Sequence, residues 1–149
     1  LASGQSLGFK SVWSRLISYK QALVAGQAEI NGAGNNQFGA LPQWKNSTSL
    51  NWSVADWRSS LISSYSSSYE QKVATQSSNP GLQAKVASYT QLDAQVSYLG
   101  LANTELALSI GNLTDRDPPF DPAVGGDYFD TSLYNHKGRA WTLSANYQF

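Results

Sequence analysis

Residues 140–149 read AWTLSANYQF, and large apolar side chains alternate along them with small or polar ones. The apolar set shares one face: Trp141, Leu143, Ala145, Tyr147 and Phe149. The opposite face carries Ala140, Thr142, Ser144, Asn146 and Gln148. A period of two residues is typical of a β-strand with one apolar and one polar face. This stretch therefore predicts a strand and sets the rule for reading the chain upstream.

Two segments upstream obey the same rule, which predicts three consecutive antiparallel strands within Val86–Phe149, joined by one short turn and one long loop. The apolar face is predicted to hold Leu92, Val96, Leu106, Leu108, Ile110, Trp141 and Leu143. The polar face is predicted to hold Asp93, Gln95, Glu105, Ser109, Thr142 and Ser144.

Three noisier segments bring the predicted total to about six strands. Trp44–Val54 alternates well, and the next strand is predicted to present Trp57, Leu61, Tyr65 and Tyr69 on one face. Phe9–Leu23 is the weakest, because its apolar face also carries a charged side chain, Arg15.

Connection lengths alternate along the chain. Ser53–Asp56 and Leu99–Asn103 are predicted to be short turns, whereas Ala25–Pro42, Gln71–Ala87 and Leu113–Gly138 are long and rich in Gly, Pro, Asn, Ser and Asp. Long loops without secondary structure are uncommon in compact soluble domains. Short turns at one rim and long loops at the other are typical of outer-membrane β-barrels.

Aromatic residues agree with this interpretation. A periplasmic girdle is predicted from the residues beside the short turns and the C-terminus, namely Trp52, Trp57, Tyr98, Tyr147 and Phe149. Trp44 and Trp141 are predicted to lie toward the opposite rim. The smallest single-chain bacterial barrels have about eight strands, so about six strands with a polar inner face indicate part of a larger barrel.

Composition excludes several classes of function. The 149 residues have zero net charge, only 13% charged residues and no cysteine, and the sequence pI is about 6.8. Nothing indicates nucleic-acid binding, disulfides, thiolate metal sites or a cysteine nucleophile. Apolar runs are too short for a transmembrane helix. The opening Leu1-Ala2-Ser3-Gly4, in a chain without methionine, is expected of a mature chain or a fragment.

The C-terminal sequence resembles that of TonB-dependent outer-membrane receptors. Residues 111–120, GNLTDRDPPF, are similar to the family's N-L-F-D-[RK]-D-P-P-F segment, with Thr114 where Phe is usual. Residues 128–139 resemble its Y-D…Y-[DN]-P-x-G-R stretch, with His136 and Lys137 where Pro is common. The aromatic-terminated Leu143–Phe149 resembles the family's last strand, and the likeness is specific over Val86–Phe149.

This resemblance implies an all-β antiparallel transmembrane barrel of about 22 strands, of which residues 1–149 form the C-terminal part. The plug domain, the upstream strands and the TonB-contacting segment would precede Leu1. The implied function is import of a bulky nutrient such as a siderophore, cobalamin or oligosaccharide, without enzymatic activity or a cofactor. The implied location is the bacterial outer membrane with a periplasmic C-terminus, and the implied partners are the outer-membrane lipid, the TonB complex and the barrel-assembly machinery.

Candidate site residues fall in two places. Arg116, Asp121, His136 and Arg139 are predicted to bind ligand from a long extracellular loop. By resemblance, Tyr147 and Phe149 form the assembly signal. No catalytic or metal site is predicted, because the aspartates of the loop lack calcium-loop spacing and the single histidine has no supporting nucleophile motif.

Two other interpretations remain open. A complete small outer-membrane barrel with a structural or adhesive role would explain the alternation if further strands lie in the long loops. A soluble β-sandwich binding module would explain it if a second layer covers the apolar face.

Overall fold

A computed structural model describes residues 4–72 and 85–149, and the regular secondary structure in them is entirely β. These ranges contain no helix long and apolar enough to cross a membrane. The strands described are β1 (Gln5–Arg15), β2 (Lys20–Gln21), β3 (Ile30–Asn31), β4 (Trp44–Val54), β5 (Trp57–Ser66), β6 (Tyr69–Glu70), β7 (Lys85–Val86), β8 (Tyr89–Leu101), β9 (Thr104–Gly111) and β10 (Ala140–Tyr147).

The six long strands form one antiparallel sheet in the order β1-β4-β5-β8-β9-β10. The sheet does not close, so in the described residues β1 and β10 are its two edges. Each strand pairs with the next long strand along the chain, which is a meander. The all-β antiparallel class is thus confirmed, as are three consecutive antiparallel strands within Val86–Phe149.

Register places matching side chains in rows across the sheet, because residues paired directly between antiparallel strands share a face. One row crosses all six strands and is wholly apolar: Phe9, Leu50, Leu61, Ala94, Ile110 and Trp141. The adjacent row points to the opposite face and consists of small or polar residues: Gly8, Asn51, Ser60, Gln95, Ser109 and Thr142. The predicted assignment of apolar and polar sets to opposite faces is confirmed.

The apolar face is not covered by any described part of the chain. Among the described strands, each strand of the large sheet contacts only its hydrogen-bonded neighbours. Phe9 is 72% exposed, Trp141 62% and Leu143 78%. The few buried apolar side chains lie elsewhere, mostly in the long connections and at the ends of the strands that they join. An apolar face that spans six strands therefore buries little of its surface against the rest of the described chain.

The two ends of the sheet differ. Two-residue turns, Ala55–Asp56 and Ala102–Asn103, join β4 to β5 and β8 to β9. The described chain ends lie beside them, since Gln5 pairs with Val54 and the Gln148 amide donates to the Asn103 carbonyl at 2.9 Å. Three long connections, 16–43, 67–88 and 112–139, are called here the first, second and third connections, and their described residues lie at the opposite end. The first contains the β2–β3 ribbon and the second the β6–β7 ribbon.

Four predicted boundaries were wrong. The first strand is Gln5–Arg15 and not Phe9–Leu23, so Ile17 and Tyr19 lie in the first connection. Tyr69 continues the alternation of β5 but leaves the sheet and is only 1% exposed.

The predicted turn Leu99–Asn103 is mostly strand, because β8 continues through a register shift between Tyr98 and Leu101. Ser53 likewise belongs to β4, where it pairs with Arg58. Arg15 lies on the apolar face as predicted, but at the last position of β1 rather than near the middle of the strand.

Candidate functional site

The long connections meet in a buried polar cluster around Asp121. This cluster, called the Asp121 cluster, comprises Asn36, Tyr69, Gln71 and Asp121. The Tyr69 hydroxyl donates to Asp121 Oδ2 at 2.7 Å, and the Gln71 side-chain amide donates to Asp121 Oδ1. Asn36 in turn donates to Gln71 Oε1 at 2.5 Å. One residue from the first connection, two from the second and one from the third are thereby joined.

Backbone hydrogen bonds reinforce the same junction. The Glu70 amide donates to the Gly34 carbonyl at 2.8 Å, and the Asn36 amide donates to the Glu70 carbonyl at 3.1 Å. Ala40 N–H reaches Asp130 Oδ2 at 3.3 Å and links the first connection to the third. These hydrogen bonds therefore join part of each connection to the others near the end of the sheet.

Burial controls the ionisation of the tyrosine in this cluster. Desolvation, followed by the hydrogen bond to the Asp121 carboxylate and its negative charge, raises the pKa of Tyr69 far above its ordinary value of 10.0. Tyr69 is therefore a neutral hydrogen-bond donor at physiological pH. Asp121 also accepts from the Ala123 amide at 2.9 Å, so its carboxylate is satisfied by neutral donors.

A recess of about 470 Å³ lies between the third connection and the polar face of β1, β4, β5 and β8. Its roof is formed by Leu133, Tyr134 and Asn135. Its floor and walls are the polar-face residues Val12, Ser14, Lys45, Ser47, Ser64, Ser66, Tyr89 and Gln91. It also borders Asn46 and Tyr65, whose positions in the register belong to the apolar face. The lining offers hydroxyls, amides and one ammonium group and contains no carboxylate, which suits an oxygen-rich ligand that is neutral or anionic.

Aromatic contacts hold the roof of the recess in place. The rings of Tyr89 and Tyr134 meet edge to face with centroids 5.2 Å apart. The Tyr134 hydroxyl lies 3.3 Å from the hydroxyl of Ser66. Tyr134 is buried, and desolvation raises its pKa. The third connection is therefore fixed to the sheet at this point.

The four predicted ligand residues occupy separate positions. Asp121 is only 1% exposed, so a ligand could reach its oxygens only by displacing the Asp121 cluster. Arg116 is exposed, lies over the Tyr89 ring at 5.4 Å and donates to the Ser88 carbonyl at 3.2 Å. Within the described chain, no hydrogen bond or ion pair joins any two of the four, so their common ligand role stays a prediction.

Arg139 and His136 lie farther along the third connection. Arg139 forms an exposed ion pair with Asp115 at 3.6 Å, and its backbone amide donates to Asp115 Oδ1 at 2.7 Å. The His136 ring lies 6.4 Å from that of Phe129. Across residues 4–72 and 85–149, no three His, Asp or Glu side chains are grouped so as to hold a metal ion.

Sequence reasoning missed Lys45, Tyr134 and the partners of Asp121. The alternation of β4 was sufficient to predict Lys45 as a charged residue on the polar face. Tyr69 and Gln71 lie 52 and 50 residues from Asp121, and no local pattern links such distant positions.

The predicted assembly signal lies at the end of the sheet that carries the short turns. Tyr147 pairs with Thr104, and its ring meets that of Phe149 edge to face with centroids 5.1 Å apart. Phe149 is fully exposed. These rings are therefore separated from the recess and the long connections by the length of β10.

If the chain is the end of an outer-membrane barrel, as the sequence predicts, Phe149→Ala should lower the amount assembled in the outer membrane without changing ligand affinity per folded molecule. The reason is position, because Phe149 lies two residues beyond the end of β10, at the rim opposite the recess. Heat-modifiable migration measures assembly, and binding is normalised to the folded band. Arg116→Ala or His136→Ala should show the reverse pattern. Normal assembly with lost binding in Phe149→Ala would contradict the role assigned to this end.

Comparison with protein-family models, with curated proteins and with solved structures found no significant match.

Proposed function

We propose that this chain is the C-terminal wall of an outer-membrane, TonB-dependent receptor that imports a bulky nutrient such as a siderophore, cobalamin or oligosaccharide. The observation that carries the proposal is the uncovered apolar face of a six-stranded antiparallel meander. Lipid is the environment in which such a face is favourable.

Strand length and rim structure support the same proposal. A strand that crosses a bilayer needs about 9–11 residues, and β4, β5 and β8 have 11, 10 and 13. The two-residue turns lie at one rim and the long connections at the other, which is the arrangement of outer-membrane barrels. The turns and the C-terminus would face the periplasm, and the Asp121 cluster would face outward.

A soluble sandwich is less well supported. Its apolar face would pack against a second layer at about 10 Å, whereas the described strands contact only their neighbours in the sheet. The open sheet also argues for additional strands, because unpaired edges carry unsatisfied backbone groups that are costly in hydrocarbon. In this proposal β1 continues into upstream strands and β10 closes on the first strand of the barrel.

The recess would then lie on the lumen side, directly beneath the extracellular connections. A ligand entering from outside would meet the third connection first and the hydroxyl- and amide-lined wall next. TonB coupling would act through the plug domain and N-terminal segment, and assembly through the terminal strand.

The test is fractionation of cells that express the full-length protein. We expect extraction from outer membranes only with detergent, a folded band that shifts on heating, and nutrient uptake that stops when the inner-membrane energy supply or TonB is removed. A water-soluble protein would overturn the membrane proposal. A folded outer-membrane protein whose ligand uptake is independent of TonB would overturn the receptor class alone.

A further inference from the structure

Arg15 is the only charged side chain on the apolar face among the described strand residues of the large sheet. It ends β1 at the rim of the long connections and pairs with Trp44. The described residues give it no carboxylate partner, and its guanidinium lies over the Trp44 ring at 5.1 Å from the centroid. A cation on a face that otherwise avoids charge requires a specific environment.

Three aromatic side chains form a recess beside Arg15 on the same face. Trp13, Trp44 and Tyr65 line a volume of about 460 Å³. The Trp13 ring lies 6.3 Å from Trp44 and 6.2 Å from Tyr65, in both cases at a steep angle. These three residues are called the aromatic trio. Their open, angled rings leave room for part of another molecule.

Polar side chains lie level with the trio (Asn46) and in the next row of the same face (Ser11 and Thr48). Ser11 and Thr48 are paired on the apolar face with hydroxyl oxygens 2.8 Å apart, and Asn46 donates to Ser11 Oγ at 3.1 Å. Such groups are tolerated near the headgroups but are costly in the hydrocarbon centre. Together with the aromatic rings, they are typical of the interfacial level of a membrane.

We propose that Arg15 and the aromatic trio bind the phosphate-bearing headgroup of an anionic membrane lipid, with an acyl chain lying along Phe9 and Leu50 below. The inference rests on the proposed function, because it requires the apolar face to contact lipid. The guanidinium supplies the charge and the donors that match a phosphate. Stacking on Trp44 pre-orders the Arg15 side chain.

The experiment measures lipid retention by native mass spectrometry on the full-length protein in neutral detergent. Phosphatidylglycerol and phosphatidylcholine with identical acyl chains are added in equal amounts. We expect the wild-type protein to retain phosphatidylglycerol about fivefold more strongly, the contribution of one arginine beside anionic headgroups. Arg15→Gln should reduce this preference to near unity, and Arg15→Lys should keep most of it.

Lys10→Gln is the matched control, since Lys10 lies on the polar face of the same strand and its loss changes the net charge equally. It should leave the preference intact. An equal loss in Lys10→Gln would show a general charge effect and overturn the site. Displacement of the lipid by millimolar inorganic phosphate would overturn a lipid as the occupant.

The two proposals fail in different ways. A heat-modifiable, folded protein without headgroup preference overturns the lipid site alone. A protein with no heat-modifiable form overturns the membrane proposal on which the site rests.

Discussion

Leu61→Arg in the proposed receptor should reduce the free energy of unfolding by about 2–4 kcal/mol, the cost of arginine near the bilayer midplane if the apolar face contacts lipid as proposed. Leu61 lies near the middle of β5 in the apolar row that crosses all six strands. An arginine there would lose hydration without gaining a partner, because its cross-strand neighbours are Leu50 and Ala94. Urea unfolding in lipid vesicles, followed by tryptophan fluorescence, measures the change.

Ile62→Arg is the matched control. Ile62 is the next residue and is almost equally exposed, at 38% against 39% for Leu61, but it lies on the polar face. Its cross-strand neighbours are Ser49 and Asp93, and the latter can pair with a new cation. We expect a change below about 1 kcal/mol, the range of solvated ion pairs. Equal destabilisation by both substitutions would mean that the two faces meet the same environment, which would end the membrane proposal.

The faces of the sheet could be predicted because they depend only on local alternation. Leu143 and Ser144 are assigned to opposite faces by the pleat itself, whatever their partners. The meander also followed from the sequence, since short and long connections between similar strands leave antiparallel neighbours as the simplest pairing. For the same reason the alternation of β4 predicts that Lys45 lies on the polar face.

Strand ends and the Asp121 cluster could not be predicted in this way. Tyr69 keeps the two-residue period of β5, yet a hydrogen bond to a residue 52 positions away removes it from the sheet. Tyr98 and Leu101 bracket a register shift that extends β8, and only Gly100, a residue typical of bulges, marks it in the sequence. Long-range hydrogen bonding decides such positions, and alternation carries no information about it.

Asp121→Ala should loosen all three long connections while leaving the sheet intact. The substitution leaves the Tyr69 hydroxyl and the Gln71 amide buried without their acceptor, at a cost of about 1–3 kcal/mol for each group. Amide hydrogen exchange measures this locally, and the amides of Asn36 and Glu70 should lose protection because their hydrogen bonds join the connections. The β8 and β9 amides should keep theirs.

Asp127→Ala is the control for this change, since Asp127 is an exposed aspartate in the same connection. It should leave exchange at Asn36 and Glu70 unchanged. Tyr69→Phe removes only the hydroxyl and should cost less than Asp121→Ala, with little further effect when the two are combined. If Asp121→Ala behaves like Asp127→Ala, the cluster does not hold the connections together.

Raising the pH should break the hydrogen bonds of the Asp121 cluster in the wild-type protein. The folded-state pKa of Tyr69 is raised above its ordinary value of 10.0, so the stabilisation is fully present below about pH 10 and is lost as the pH rises through the folded value. Deprotonation would place a phenolate beside the Asp121 carboxylate and remove the donor at once. Protection of the Asn36 and Glu70 amides, corrected for the intrinsic exchange rate, should therefore stay constant up to about pH 10 and then fall.

In Tyr69→Phe the fall should disappear, because no ionisable donor remains at that position. A decline that begins near neutral pH, or that persists in Tyr69→Phe, would assign the pH dependence to another group.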